Sequence, residues 1–214
     1  MQVFHTGSIT ESDFEQIVSV LNAGNVVVFP TDTAYGLAAD PFSATAIARL
    51  FAIKGRPETK PILLLIDSLE GVESVAITNT IFFDVARRFW PGPLTMILPA
   101  LPHLSRSLTA GTGTIGVRWP DAGFATRLVR EFGKPVTATS ANRSGMPACV
   151  TADEVRAQLD DSVPILIDGG ELPSRGGSTL LDLTIDPPVV LRHGPISFDT
   201  LHAFFGGALR SQVT

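Results

Sequence analysis

Continuous apolar runs of strand length alternate with segments of helical periodicity along this chain. Residues 25–30 and 61–66 form two such runs, which are typical of strands buried on both faces of a sheet. Between them, Ser43 is placed to cap a helix whose apolar residues recur at helical spacing as far as Ile53. The alternation predicts an α/β fold in which helices flank one twisted, mixed sheet of parallel and antiparallel strands.

The same patterns give the expected positions of the other elements. Further helices are predicted from Thr10 to Gly24, over 79–90, over 123–132 and from Thr151 onward. Further strands are predicted at 94–98, 114–118, 136–138, 165–167, 178–183 and 189–191. Residues 31–42, between the first apolar run and Ser43, are expected to form a loop.

Composition limits the class of protein. With 214 residues, 44% hydrophobic and 17% charged, and no shift in composition along the chain, we expect a single domain over residues 1–214. The net charge of -5 argues against a protein whose main function is to bind nucleic acid through a basic surface. Cys149 is the only cysteine, which excludes an intramolecular disulfide and fits a reducing compartment. With no signal peptide and no apolar run near the roughly 20 residues of a membrane span, we expect a soluble, cytoplasmic protein without a membrane partner.

Three cations fall within one seven-residue loop, at Lys54, Arg56 and Lys60. Cations at a helix C-terminus can simply complement the helix dipole, and that explains Lys54 well. It explains less well why Pro57 and Pro61 follow Arg56 and Lys60, because prolines stiffen a loop and lower the entropy cost of presenting charge to a ligand. The loop therefore favours a polyanion such as the phosphates of a nucleotide.

Short polar side chains follow two of the predicted strands. Thr31 and Tyr35, the only tyrosine, lie after the strand at 25–30, and strand ends are where ligands bind α/β sheets. Ser140 and Asn142 follow the strand at 136–138. Each group can also be an ordinary polar turn, so the residues alone leave both interpretations open.

Arginines and a serine elsewhere extend the list of candidates. Arg118 ends an apolar strand and is either a surface charge or a bidentate clamp for a carboxylate. Ser178 precedes a predicted strand and Arg192 follows one, and both act in a site only if the chain folds back toward Lys54. The four histidines show no metal-ligand spacing, and neither a P-loop, a nucleophile elbow nor a dinucleotide fingerprint is present.

Five motifs taken in order give a more specific result. They are Pro-Thr-Asp-Thr-x-Tyr-Gly-Leu from Pro30, Lys-Gly-Arg-Pro-x-x-x-Pro from Lys54, Pro-Gly-Pro-Leu-Thr from Pro91, Gly-Val-Arg-x-Pro from Gly116 and Thr-Ser-Ala-Asn-x-Ser-Gly from Thr139. Together they resemble the YrdC-type threonylcarbamoyl-AMP synthases, from about Ser12 to Ile196. The resemblance implies a single α/β domain, with its core at about 12–196, and a large, locally positive cleft.

The resemblance also implies an activity. L-threonine, bicarbonate and ATP would give L-threonylcarbamoyl-AMP and pyrophosphate, with Mg²⁺ carried by ATP and no metal site in the protein. The product would serve a partner complex that modifies tRNA adenosine next to the anticodon. Lys54 and Arg56 would be catalytic, and the nucleotide would be held by Lys54, Arg56, Lys60, Ser140, Asn142 and Arg192. The threonine side would comprise Thr31, Tyr35, Arg118 and Ser178.

Two positions depart from the commoner pattern of this family. Cys149 stands where many members have the serine of Ser-Pro-Thr, and His193 stands where many have a proline after the late arginine. Two alternatives stay open. One is an RNA-binding protein of the same fold without synthase activity, and the other is a paralogue that uses a different carbamoyl-adenylate substrate.

Overall fold

A computed structural model of the protein describes residues 1–55, 61–121, 123–159, 162–173 and 176–213. These residues form a mixed α/β fold, as the alternating pattern predicts. The helices are α1 (Glu11–Asn22), α2 (Ala44–Lys54), α3 (Leu69–Glu73), α4 (Thr80–Phe89), α5 (Phe124–Phe132), α6 (Ala152–Leu159) and α7 (Phe198–Phe204). The strands of the first half are β1 (Gln2–His5), β2 (Val27–Pro30), β3 (Tyr35–Ala38), β4 (Leu64–Leu65), β5 (Leu94–Pro99) and β6 (Thr114–Arg118). Those of the second half are β7 (Val136–Thr137), β8 (Thr139–Ser140), β9 (Ile165–Asp168), β10 (Thr179–Asp182), β11 (Val189–Arg192) and β12 (Arg210–Ser211).

The described strands divide between two sheets, where the sequence predicts one. A five-stranded sheet has the order β1-β9-β2-β3-β8, and a seven-stranded sheet has the order β12-β11-β10-β5-β6-β4-β7. Both sheets contain parallel and antiparallel pairs. The predicted strand at 136–138 corresponds to β7, which pairs with β4 in the larger sheet, whereas β8 directly after it was not predicted and pairs with β3 in the smaller sheet.

The junction of the two sheets is held by a buried threonine. The Thr137 hydroxyl donates to the Leu37 carbonyl at 3.0 Å and accepts from the Ala39 amide at 2.9 Å. Thr137 has no exposed surface, so these bonds are shielded from competing water. One side chain thus links β7 of the larger sheet to β3 of the smaller sheet.

Local capping explains where the predicted helices begin. The hydroxyl of Thr10 accepts from the Asp13 amide at 3.2 Å, and the Asp13 carboxylate accepts from the Thr10 amide at 2.7 Å, which completes a capping box. The side chains of Ser43 and Asn79 cap α2 and α4 by accepting from the backbone amides three residues onward. At its other end α2 stops at Gly55, whose left-handed backbone (φ 56°) places Lys54 in the last turn.

Several elements differ from the sequence prediction. The predicted loop at 31–42 contains β3, and the predicted strand at 61–66 is reduced to two residues, Leu64–Leu65. β1, α3, α7 and β12 were not predicted. Among the described residues the longest helix is α1, with 12 residues, and no helix combines the length and apolar character that a membrane span requires.

Candidate functional site

A cavity of about 770 Å³ lies over one face of the seven-stranded sheet. Its floor comes from alternate residues of adjacent strands, including Thr95 and Ile97 of β5 and Gly116 and Arg118 of β6. Alternate residues of a strand point to the same face, so the opposite set, Met96 and Val117 among it, is buried in the core. The volume is in the upper part of the range for small-molecule sites.

The cavity brings together six of the predicted site residues, although they come from distant parts of the chain. Its lining includes Thr31, Tyr35, Arg118, Ser140, Ser178 and Arg192. Lys54 and Asn142 are buried and do not belong to that lining. Arg56 and Lys60 lie outside the described residues, so their predicted contacts with phosphate stay predictions.

Arg118 is a buried cation at the end of β6. Its Nε donates to the Gly92 carbonyl at 3.1 Å, and one Nη2 hydrogen is donated to the Asp32 carboxylate. The Arg118 side chain is 6% exposed, whereas that of Asp32 is 38% exposed. Among the described residues, Nη1 of Arg118 and Oδ1 of Asp32 have no hydrogen-bond partner. A buried guanidinium that keeps a donor for a further partner is suited to bind an anionic group.

Arg192 supplies a second guanidinium to the same cavity. Its Nε donates to the Ser178 carbonyl at 3.0 Å, and Nη2 lies 3.4 Å from the Ser178 hydroxyl. The loss of surrounding water lowers the pKa of Arg192, and the positive charge of Arg118 lowers that pKa further. Two guanidiniums that repel each other across a cavity favour an anion between them.

Glycine makes room for Arg192. A Cβ placed on Gly177 would lie 3.1 Å from the Arg192 guanidinium carbon, and the backbone there is left-handed (φ 86°). Beneath it, the Ser178 hydroxyl lies 2.6 Å from the hydroxyl of Thr95, which is buried. These contacts fix both the arginine and the serine in the cavity wall.

Lys54 holds the segment that carries Ser140 and Asn142. Its ammonium donates to the Ser140 carbonyl, to the Asn142 carbonyl at 3.2 Å and to the Asn142 side-chain oxygen at 3.5 Å. The side-chain nitrogen of Asn142, Nδ2, donates to the Arg143 carbonyl at 2.8 Å and to the Met146 carbonyl at 2.7 Å. The buried ammonium therefore sets the shape of the 140–146 segment, and Ser140 reaches the cavity from it.

Thr31 and Tyr35 also make internal contacts. The Thr31 hydroxyl donates to the Ala34 carbonyl at 2.6 Å and so closes its own turn. The Tyr35 hydroxyl donates to the Gly170 carbonyl at 2.7 Å and accepts from the Gly169 amide at 3.0 Å. Burial raises the pKa of Tyr35 to about 12. Tyr35 thus fastens β3 to the turn after β9, and its predicted contact with threonine stays a prediction.

Several cavity residues were not among the predicted ones, and Asp32, Thr95 and Asp182 are polar examples. Asp32 lies inside one of the five motifs, but nothing in the sequence around it indicates that it pairs with Arg118, 86 positions away. Thr95 had a usable signal, since it is a polar residue in an otherwise apolar strand. Asp182 of β10 also lines the cavity and accepts from the Thr184 amide and hydroxyl.

Charge and donor types set what this cavity can bind. The described lining carries two guanidiniums and two carboxylates, whose charges balance, so the predicted excess of positive charge would have to come from Arg56 and Lys60 and stays a prediction. Within the described ranges, no three histidine, cysteine or acidic side chains come together at metal-binding distances. Burial raises the pKa of the Cys149 thiol to about 11, and its carbonyl, not its sulfur, supports β3 by accepting from the Tyr35 amide.

The fold and cavity define an α/β protein with a cavity of small-molecule size, lined by two arginines, over one face of a mixed sheet. Comparison with known proteins gives the family. The Sua5/YciO/YrdC family profile, described under telomere recombination, matches residues 19–194. The chain belongs to this family, as the five motifs predict.

Individual relatives agree with that assignment. A Mycobacterium tuberculosis protein, named provisionally as a threonylcarbamoyl-AMP synthase, is 38% identical over 190 residues, which are 88% of this chain and 87% of the relative. The threonylcarbamoyl-AMP synthase of Pyrococcus abyssi is 37% identical over 187 residues, which are 87% of this chain but only 55% of that protein. The crystal structure of Pyrococcus abyssi Sua5 with L-threonine superimposes with a TM-score of 0.90 at 34% identity, over 98% of this chain and 62% of that one.

Proposed function

We propose that this protein is an L-threonylcarbamoyladenylate synthase, a nucleotidyltransferase that acts on L-threonine, bicarbonate and ATP. The threonine amine would combine with bicarbonate to give a carbamate and water. A carbamate oxygen would then attack the α-phosphorus of ATP, and pyrophosphate would leave. The proposal rests on the family, on relatives with this name and on a related structure that contains L-threonine.

One observation in the cavity carries the proposal. Two guanidiniums, Arg118 and Arg192, each keep a donor without a partner among the described residues, and both line the cavity beside hydroxyl groups. The reaction needs two anions side by side, a carboxylate and a triphosphate, and each arginine would hold one of them. We propose Arg118, Ser178, Thr31 and Tyr35 for the threonine side.

For the nucleotide we propose Arg192 and Ser140, together with Arg56 and Lys60, which lie outside the described residues. Lys54 and Asn142 would act mainly by holding the 140–146 segment in shape, because their polar atoms already bond to one another and to the backbone. Catalysis would come from positioning the carbamate in line with the leaving group and from cations that stabilise developing negative charge.

Magnesium would arrive with ATP. Of the described cavity residues, only Asp32 and Asp182 carry carboxylates, and each already accepts hydrogen bonds from protein groups. These residues do not form a magnesium site of their own, so we propose that the phosphates of ATP hold the ion. It would neutralise charge on those oxygens.

The remaining parts of the proposal concern the wider context. Residues 1–214 would be one domain, and the product would pass to a complex that transfers the threonylcarbamoyl group to tRNA adenosine next to the anticodon. We place the protein in the cytoplasm, where ATP and the tRNA substrates of that complex occur. Direct RNA binding is not needed for this activity.

Pyrophosphate release from ATP tests the proposal. We expect release to require both L-threonine and bicarbonate, and to fall by about 100-fold or more in Lys54→Ala and Arg56→Ala. Arg87→Ala is the matched control, because Arg87 is an exposed arginine of α4 that pairs with Asp84 away from the cavity. No release from the folded wild-type protein would refute the synthase and favour an RNA-binding protein or a paralogue with another substrate.

A further inference from the structure

Asp32 and Arg118 together present opposite charges to the cavity. Both line it, and they are joined by one hydrogen bond through Nη2 of Arg118 and Oδ2 of Asp32. The free atoms are Nη1 on the cation and Oδ1 on the carboxylate, as far as the described residues show. Both atoms are therefore available to a ligand in the cavity.

An α-amino acid is a zwitterion whose carboxylate and ammonium are bonded to the same carbon. A cation and an anion held side by side by the protein match that arrangement. We propose that Asp32 receives the α-amino group of L-threonine while Arg118 binds its carboxylate. This inference rests on the synthase proposed above and extends it by naming the residue that recognises the α-amino group of the substrate.

Position and partners favour Asp32 over the other carboxylate of the cavity. Asp182 accepts from the Thr184 amide at 2.8 Å and from the Thr184 hydroxyl at 2.6 Å. It lies on β10 beside Ile97, and among the described residues no positively charged side chain forms an ion pair with it. Asp32 is the described carboxylate that adjoins a guanidinium in this cavity.

The contact also suits the reaction. The nitrogen must be a neutral amine when it attacks carbon, and a carboxylate accepts hydrogen bonds from an ammonium and from an amine alike. The proton that the ammonium gives up would pass to solvent before the attack, and donation of N–H to Asp32 would then fix the direction of the nitrogen lone pair. Asp32 is therefore both a specificity-determining residue and a group that contacts the substrate.

Calorimetric binding of two ligands tests the inference. The ligands are L-threonine and the analogue in which a hydroxyl replaces the α-amino group, and the proteins are wild type, Asp32→Asn, Asp32→Ala and Asp84→Asn. The asparagine keeps an oxygen for Arg118 but loses the charge, whereas the alanine loses both. Asp84→Asn removes the same charge from an exposed ion pair on α4 and is the matched control.

We expect wild type and Asp84→Asn to bind threonine about 10- to 100-fold more tightly than the analogue, as a charged hydrogen bond allows. In Asp32→Asn that ratio should fall to near unity, with the affinity for the analogue little changed. In Asp32→Ala the ratio should also fall to near unity. Both ligands should in addition bind more weakly, because Arg118 loses its hydrogen bond to the side chain at position 32.

Two results would overturn the inference and leave the synthase standing. If Asp32→Asn weakens both ligands in equal proportion, Asp32 acts only through Arg118. If it binds threonine more tightly, Asp32 competes with the substrate carboxylate for Arg118. Failure of the wild type both to bind threonine and to release pyrophosphate would instead overturn the proposed function, and the inference with it.

Discussion

Tyr35 offers a direct test of the packing behind the cavity, because it is the only tyrosine in the chain. Its phenolate can therefore be followed by ultraviolet absorbance without interference from another tyrosine. The pKa of Tyr35 is raised from the ordinary 10.0 to about 12, chiefly because burial disfavours the charged form. We expect the native protein to titrate near that value and the denatured protein near 10.

The stability effect has a definite sign. A raised acidic pKa means that the folded state keeps its proton while the unfolded state loses it, so stability falls as pH rises from about 10 to about 12. The shift corresponds to about 2 to 3 kcal/mol, which is lost across that window. Tyr35→Phe removes the ionising group, so its stability should not show this part of the pH dependence.

At neutral pH, Tyr35→Phe should lower the stability of the protein. The Gly169 amide and the Gly170 carbonyl lose their partner, but Gly170 is exposed and Gly169 half-buried, so water partly replaces the hydroxyl. We expect Tyr35→Phe to lower the free energy of unfolding by about 1 to 2 kcal/mol, measured by urea denaturation. A native titration midpoint near 10, or equal stability of the two proteins at neutral pH, would refute the buried hydrogen-bonded hydroxyl.

Two further substitutions test the sheet junction and the cavity wall. Thr137→Val should destabilise the protein by about 2 to 3 kcal/mol in urea denaturation, because the buried Ala39 amide and Leu37 carbonyl lose the hydroxyl between the sheets. Thr137→Ser keeps the hydroxyl and should recover most of that loss, and equal losses would contradict this role. Gly177→Ala should raise the KM for ATP by about tenfold or more, because its Cβ meets the Arg192 guanidinium. Gly176→Ala introduces the same kind of backbone strain without that contact. An equal rise in KM in both variants would show that backbone strain, and not the contact with Arg192, is the cause.

Much of the fold could be predicted because its signals are local. Apolar periodicity and capping residues gave α1, α2, α4 and α5, and β6 was predicted at its observed bounds. The division into two sheets could not be predicted. β7 and β8 are separated by one residue, Ala138, and only their partners show that they belong to different sheets.

The site shows the same limit. Positions next to predicted strands and the family resemblance pointed to Arg118, Ser178 and Arg192, and the structure brings all three to one cavity. Spacing could not show that the Lys54 ammonium is directed at backbone carbonyls, or that Asp32 pairs with Arg118. Such contacts depend on the direction of a side chain between distant segments, which a one-dimensional pattern does not contain.

Detection of the product tests the central claim most directly. The protein would be incubated with ATP, Mg²⁺, L-threonine and bicarbonate labelled with heavy carbon, and the mixture analysed at once by mass spectrometry. The account predicts an adduct that contains AMP, threonine and one labelled carbon, with pyrophosphate in equal amount. ATP cleavage to ADP and phosphate, or a threonine adduct of AMP without the labelled carbon, would contradict it.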